Sequence, residues 1–205
     1  MTRFARPAGA GLRHLEDLEG PLEALRADTP RIEAWGRRLA DVLCDGGRLL
    51  AAGNGGSAAQ AAHLTSELVG RYRDDRMPFS AIALTTEPCA MTAIGNDYGI
   101  AEQFARQVRG HGRAGDVVVL LSTSGRSANL LAAVDAAHEH GLITWALCGK
   151  PGSPLAERCH EALCVDSPHT ATVQEIHLIA IHLLCEAVEE ALDRRSRRSA
   201  MEQIA

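Results

Sequence analysis

The sequence predicts an α/β fold, a three-layer α-β-α sandwich around a five-stranded parallel sheet, preceded by N-terminal helices. Three observations predict it: short continuous apolar runs recur along the chain, helical patterns lie between them, and polar glycine-rich or hydroxyl-rich loops follow two of the runs. Continuous apolar runs are typical of parallel strands buried on both faces, and alternation with helices indicates right-handed crossovers. The length of 205 residues suits a single domain.

Two helices are expected in the N-terminal part, residues 1–47. Leucines recur at helical intervals from Gly11 to about Asp28, with Gly20-Pro21 as the candidate interruption. Thr29-Pro30 then combines a capping residue with a first-turn proline, which predicts a second helix that runs to Cys44.

The core is expected over residues 48–192. Its five apolar runs are taken as strands, and they cover 49–52, 81–85, 116–121, 142–147 and, more weakly, 162–165. Its helical patterns cover 57–70, 101–110, 127–140, 154–160 and 172–192. Residues 193–205 form a basic tail, which we interpret as a solvated helix end favoured by the helix dipole.

Composition excludes several classes of function. The net charge is −5 and aromatic residues make up 3%, so a nucleic-acid partner is not expected. We find neither an apolar stretch of about 18 residues nor a signal peptide, so no membrane partner is expected. The six cysteines form no CxxC pair, which indicates reduced thiols in a cytoplasmic protein and disfavours a cysteine metal site.

Two loops carry the ligand-binding signal, because ligands of parallel α/β sheets bind where strands end and helices begin. Gly53-Asn54-Gly55-Gly56-Ser57 follows the first strand and permits close backbone approach to a polar ligand. The second loop, residues 122–127, follows the third strand and holds four hydroxyl side chains at a helix N-terminus. Backbone N–H groups, the helix dipole and the hydroxyls together favour phosphate.

These loops resemble those of the sugar isomerase (SIS) domain, a family of phosphosugar-binding domains. Further segments are similar to its phosphoheptose isomerase branch, and the resemblance covers nearly the whole chain. They are Ala83-Leu84-Thr85-Thr86, Thr92-Ala93-Ile94-Gly95-Asn96-Asp97-Tyr98-Gly99 and Gln174-Glu175-Ile176-His177.

The resemblance implies one zinc ion per subunit, with ligands on two helices. Helical spacing alone places His63 and Glu67 on one face, and it sets Gln174 and His182 about 80° apart on another helix. Taken singly, His63 and Glu67 also fit a helix-surface pair, and His182 also fits a core histidine. The resemblance assigns all four as zinc ligands: His63, Glu67, Gln174 and His182.

The resemblance also implies aldose–ketose isomerisation of a sugar phosphate, with Glu67 as the base and His182 as the partner acid. The terminal phosphate would be held by the hydroxyls of Ser122, Thr123, Ser124 and Ser127. Together with Glu67 and Gln174, the sugar would be contacted by Asn54, Gly55, Gly56, Ser57, Asn96 and Asp97. A turn-forming role for the Asn-Asp pair is the alternative.

Three points stay open at this stage. Relatives of the same fold bind without catalysing, so a phosphosugar-binding or replication-initiator-associating protein is the alternative, although those relatives lack this glutamate and the last histidine. An isomerase of another sugar phosphate also fits the loops. This chain departs from the branch at two positions: Arg126 stands where the branch often has asparagine, and Val173 stands where it commonly has a basic residue. The branch assembles as tetramers with active sites near subunit interfaces, so the resemblance implies a homo-oligomer.

Overall fold

A computed structural model describes residues 9–202 of the chain. Its five strands are β1 (Leu49–Gly53), β2 (Ala81–Ala83), β3 (Val117–Ser122), β4 (Ile143–Cys148) and β5 (Glu161–Cys164). Its seven helices are α1 (Ala10–Cys44), α2 (Gly56–Val69), α3 (Pro88–Tyr98), α4 (Glu102–His111), α5 (Ala128–Glu139), α6 (Pro154–Arg158) and α7 (Thr170–Glu202).

The strands form one parallel sheet in the order β2-β1-β3-β4-β5. Strand β3 is buried along its whole length, which is why its sequence is a continuous apolar run rather than an alternating one. The predicted fold class is therefore confirmed, and the five predicted strands lie within two residues of their observed bounds.

The two faces of the sheet bury separate apolar clusters. Leu49, Val117 and Trp145 face a layer built from α1, α2 and α7. Leu50 and Val118 point to the opposite face, which is covered mainly by α4, α5 and α6. Alternate residues of each strand thus supply alternate layers, and the sheet is covered on both sides.

The prediction of two N-terminal helices was wrong. Helix α1 runs unbroken through both Pro21 and Pro30. A proline inside a helix removes one hydrogen bond and costs about 3 kcal/mol, but packing can offset that cost. Here α1 packs along α7, and the backbones of the two helices come close where Gly36 meets Ala187. Trp35 of α1 also stacks on Trp145 of β4, with 4.8 Å between the ring centroids.

Two further elements differ from the sequence prediction. Helix α3 was not predicted; it is short, none of its residues is fully buried, and its second half contains Gly95, Asn96 and Asp97, which are poor helix formers. Helix α7 continues through residues 193–202, and Arg195 pairs with Asp41 and Asp45 of α1. The predicted solvated helix end accounts for this segment, while residues 203–205, like residues 1–8, lie outside the described part.

One segment, Thr170–Arg198 of α7, is long and apolar enough to span a membrane by length and composition. Its apolar window is 56% buried within the fold, as in the core helix of a soluble protein.

The described cysteines form no disulfide. Three of them, Cys148, Cys159 and Cys185, are buried, whereas Cys44 and Cys89 are exposed.

Candidate active site

The two predicted loops meet where the strand order reverses. Strands β1 and β3 are neighbours, with Gly53 in register with Leu121, so the loops that follow them lie side by side. The side-chain amides of Asn54 and Asn129 join the loops through two reciprocal hydrogen bonds of 3.0 and 2.9 Å. Such a switch point is where ligands bind in open parallel α/β sheets.

The first loop requires glycine at three positions, Gly53, Gly55 and Gly56. A Cβ at Gly53 would lie 2.6 Å from the backbone of Ser57, and Gly55 adopts a positive φ of 57°. A Cβ at Gly56 would lie 2.6 Å from the Gln174 side-chain nitrogen. Helix α2 has no side-chain cap, and the N–H groups of its first turn instead donate to the Asn54 and Gly55 carbonyls of the loop.

The second loop presents hydroxyls at the start of α5. The Ser122 Oγ accepts a hydrogen bond from the Gly125 N–H at 3.0 Å, and the Ser124 Oγ accepts one from the Arg126 N–H at 3.3 Å. Ser127 precedes α5 but its side chain makes no capping bond. The Ser127 hydroxyl is therefore not used as a helix cap.

Helices α2 and α7 bring three of the predicted catalytic and metal-binding side chains together. The Nε2 atoms of His63 and His182 lie 3.0 Å apart, and the His63 Nε2 lies 3.6 Å from the Glu67 Oε1. The Glu67 side chain is 17% exposed and that of His63 is 37% exposed. The Tyr72 ring packs 5.9 Å from the His182 ring, which limits the positions that this imidazole can take.

Gln174 lies at the other end of the α2–α7 contact. Its side chain packs on Gly56, and its carbonyl accepts a hydrogen bond of 2.5 Å from the Gln60 Nε2. This position suits a contact to the sugar beside the loops. A role as a zinc ligand requires the amide to turn away from Gly56.

The donor chemistry at the His63–Glu67–His182 cluster fits zinc. Zinc bonds of about 2.0–2.2 Å to imidazole and carboxylate place neighbouring ligand atoms a little over 3 Å apart, and the observed separations are 3.0 and 3.6 Å. Within residues 9–202 no three such side chains already enclose a single point. At least one side chain would therefore have to turn toward a bound ion.

The surroundings of the cluster fix the end of α2. Two nitrogens of the Arg76 guanidinium donate hydrogen bonds to the carbonyls of Glu67 and Leu68 at 2.7 and 3.0 Å. Burial raises the pKa of the Cys185 thiol to about 12, and the nearby charges of Glu67 and Glu189 act in the same direction. Cys185 is therefore a neutral packing residue, not a nucleophile.

Asn96 and Asp97 make no hydrogen bond to this cluster in the described structure. Both are exposed on α3, and the Asn96 Nδ2 donates a hydrogen bond of 2.8 Å to the Asp97 Oδ1. The alternative interpretation as a turn is wrong, since both residues are helical. Their predicted contact with the sugar stays a prediction.

Two further residues of the site were not singled out by the sequence analysis. Asn129 is buried in the first turn of α5 and joins the two loops through Asn54; a polar residue among apolar helix neighbours was the signal. His177 is fully buried on α7 and donates from Nε2 to the Cys148 carbonyl at the end of β4, at 2.9 Å. It ties the helix of Gln174 and His182 to the sheet.

Acid is expected to weaken the fold through His177. Burial lowers the pKa of this imidazole to about 4 from an ordinary value of 6.5, so the folded state favours the neutral form. Its contribution is fully present above about pH 6.5 and is lost as the pH falls toward 4. We expect the free energy of unfolding to drop by roughly 2 kcal/mol between pH 7 and pH 4.5 from this group.

Urea denaturation across that range measures the effect, and His177→Gln is the comparison. Glutamine retains an N–H that can reach the Cys148 carbonyl but does not titrate, so the variant should lose less stability on acidification. Equal pH slopes in the two proteins would contradict the assignment to His177.

Comparisons with known proteins agree with this geometry. The profile of the SIS domain family matches residues 14–149. A phosphoheptose isomerase of Streptomyces coelicolor is 62% identical over 181 residues, which are 88% of this chain and 78% of that protein. One from Thiobacillus denitrificans is 46% identical over 85% of this chain and 90% of its own length. The solved phosphoheptose isomerase of Neisseria gonorrhoeae superposes with a TM-score of 0.81 at 39% identity, over 87% of this chain and 96% of that one.

Proposed function

The chain belongs to the phosphoheptose isomerase family of SIS-domain proteins, and we propose that it is an enzyme that converts sedoheptulose 7-phosphate to D-glycero-D-manno-heptose 7-phosphate, at the start of nucleotide-heptose biosynthesis. The observation that carries the proposal is the cluster of Glu67, His63 and His182, which lies along α2 from the two ligand loops. A relative named phosphoheptose isomerase, from Streptomyces coelicolor, is 62% identical to this chain.

The phosphate end of the substrate is bound by the second loop. Ser122, Thr123, Ser124 and Ser127 supply hydroxyls, and the N-terminus of α5 supplies N–H groups. Asn54, Ser57 and Gln174 are assigned to the sugar hydroxyls. Binding the phosphate there holds the distant C1 and C2 atoms in a fixed position, so binding energy is used for orientation.

Glu67 and His182 carry the proton transfer in this proposal. Glu67 takes a proton from C1 of the open-chain ketose while His182 protonates the carbonyl oxygen on C2, which gives an enediol. Delivery of a proton to C2 and loss of the proton on O1 complete the aldose. The arrangement needs no outside reactant, because isomerisation moves hydrogen within one molecule.

The same proposal includes one zinc ion per subunit. His63, Glu67 and His182 would hold it, and Gln174 would be the fourth protein ligand after its amide turns away from Gly56 toward the cluster. When bound, zinc polarises the oxygens on C1 and C2 as a Lewis acid. The residues themselves still position and move the protons.

We also propose a cytoplasmic homotetramer. Support for self-association comes from α3, which buries none of its residues, and from the exposed leucines of α1, Leu12, Leu15 and Leu22, since large exposed apolar groups are typical of interfaces. The free thiols agree with a reducing compartment.

Incubation of the purified protein with sedoheptulose 7-phosphate, followed by NMR, tests the function. We expect the aldose product to accumulate with metal-replete protein and to slow at least 10-fold after chelation, with recovery on adding zinc. Absence of product from metal-replete protein, with the sugar phosphate still bound, would favour the non-catalytic phosphosugar-binding alternative. Full activity after complete metal removal would overturn only the zinc assignment.

A further inference from the structure

Two basic side chains border a cavity beside the phosphate loop. The cavity has a volume of about 550 Å³ and lies between the loops that follow β3 and β4 and the start of α7. Thr123 and Ser124 line it together with Arg126, Lys150 and Ser153. Its lining contains no acidic residue, so two positive charges and several hydroxyls face the same space.

Neither cation is neutralised by the protein. Within residues 9–202 the side chains of Arg126 and Lys150 have no hydrogen bond or ion pair, and both residues are exposed. By contrast, Arg158 on the neighbouring α6 pairs with Asp135 at 3.2 Å. Lys150 is also the chain's single lysine. An unpaired arginine and lysine beside hydroxyl donors form a charge arrangement suited to a phosphate dianion.

The loops that carry these cations are interlocked. A Cβ at Gly149 would overlap the Thr123 carbonyl, and the Gly149 N–H donates to the Ser122 carbonyl at 3.3 Å. The Leu155 N–H donates to the Gly125 carbonyl at 3.0 Å. The backbone of Lys150 is thereby fixed next to the phosphate-binding hydroxyls, and only the flexible side chain has to move on binding.

We propose that Arg126 and Lys150 form the cationic side of the substrate's phosphate site and set its preference for phosphorylated over neutral sugars. This inference rests on the proposed function and deepens it, since the hydroxyls and N–H groups alone carry no formal charge. The two cations neutralise the phosphate dianion and raise the rate of encounter with anionic substrates. Because they lie at the phosphate end, they act on binding and not on proton transfer.

Kinetics of Arg126→Gln, Lys150→Gln and the double variant test the proposal, with Arg158→Gln as a control of equal charge change. We expect each single variant to raise KM for sedoheptulose 7-phosphate about 10-fold with kcat within about 2-fold, since a charge-assisted contact is lost only from binding. The control should match the parent protein. Unchanged KM in both single variants and the double variant would overturn the proposal.

A labelling experiment tests the same site without turnover. Pyridoxal 5′-phosphate forms an imine with an amine, borohydride reduces the imine, and peptide mass spectrometry separates Lys150 from the N-terminal amine. We expect Lys150 to be labelled, inorganic phosphate to slow the labelling, and Arg126→Gln to weaken that protection. If saturating phosphate does not slow the labelling of Lys150, the inference is overturned. Protection by phosphate in a protein that does not isomerise the heptose would refute the proposed function while supporting this site.

Discussion

Replacement of Glu67 by glutamine is expected to lower kcat for sedoheptulose 7-phosphate by about 10³-fold, the scale of a lost general base. Glutamine has nearly the same shape but cannot take a proton from C1. The phosphate loops lie along α2 from this residue, so substrate binding should remain within a few-fold of that of the parent protein. Product formation followed by NMR gives kcat, and calorimetric titration of the inactive variant gives the affinity.

Glu186→Gln is the matched control for that experiment. Glu186 lies on α7, pairs with Arg73 at the surface and makes the same change in charge. It should leave kcat nearly unchanged, because surface ion pairs contribute little. If Glu67→Gln loses affinity and turnover in equal proportion, Glu67 acts in organising the site and not as the base.

Gly36→Ala is expected to cost about 3 kcal/mol of folding free energy, despite the better helix propensity of alanine. A Cβ at Gly36 would lie 2.8 Å from the backbone carbon of Ala187, and it would overlap the Ala187 Cβ. Because the obstacle is partly backbone, α1 and α7 have to separate. At 2–4 °C per kcal/mol for a chain of this size, the melting temperature should fall by roughly 6–12 °C.

Gly11→Ala supplies the control on the same helix, since nothing lies within 4 Å of its added Cβ. It should leave the melting temperature unchanged or slightly higher. Ala187→Gly in the Gly36→Ala background should recover part of the loss if the close contact is the cause. A Gly36→Ala protein as stable as the parent would show that the helices adjust without loss of packing.

The sheet could be predicted because its signal is local and redundant. The central strands are almost entirely apolar, as in β3, whose five residues before Ser122 are valines and leucines, and a polar loop follows. Helix α1 could not be predicted as one element, because Pro21 and Pro30 are ordinary helix breakers and only the packing of α1 on α7 offsets them. Helix α3 is only 11 residues long and contains Gly95, Asn96 and Asp97, which are poor helix formers, so its sequence marks it weakly.

The site was predictable to a similar degree. Hydroxyls and glycines directly after two strands indicated the two loops, and the i, i+4 spacing placed His63 beside Glu67. That α7 brings His182 to within 3.0 Å of His63 is a tertiary fact that the resemblance, and not spacing, anticipated. The role of His177 depends on a carbonyl 29 residues away and leaves no local signal.

Helices α2 and α7 run side by side in the same direction, so their two contacts lie a fixed distance apart along the site. Gly56 meets Gln174 at one end, and His63 meets His182 at the other. Seven residues of helix separate the two ends, a rise of about 10 Å. A sugar phosphate anchored at the loops must be long enough for C1 and C2 to reach Glu67. An extended heptose phosphate spans such a length, whereas a triose phosphate falls short, so the proposed function implies that the spacing along α2 favours the longer carbon chain.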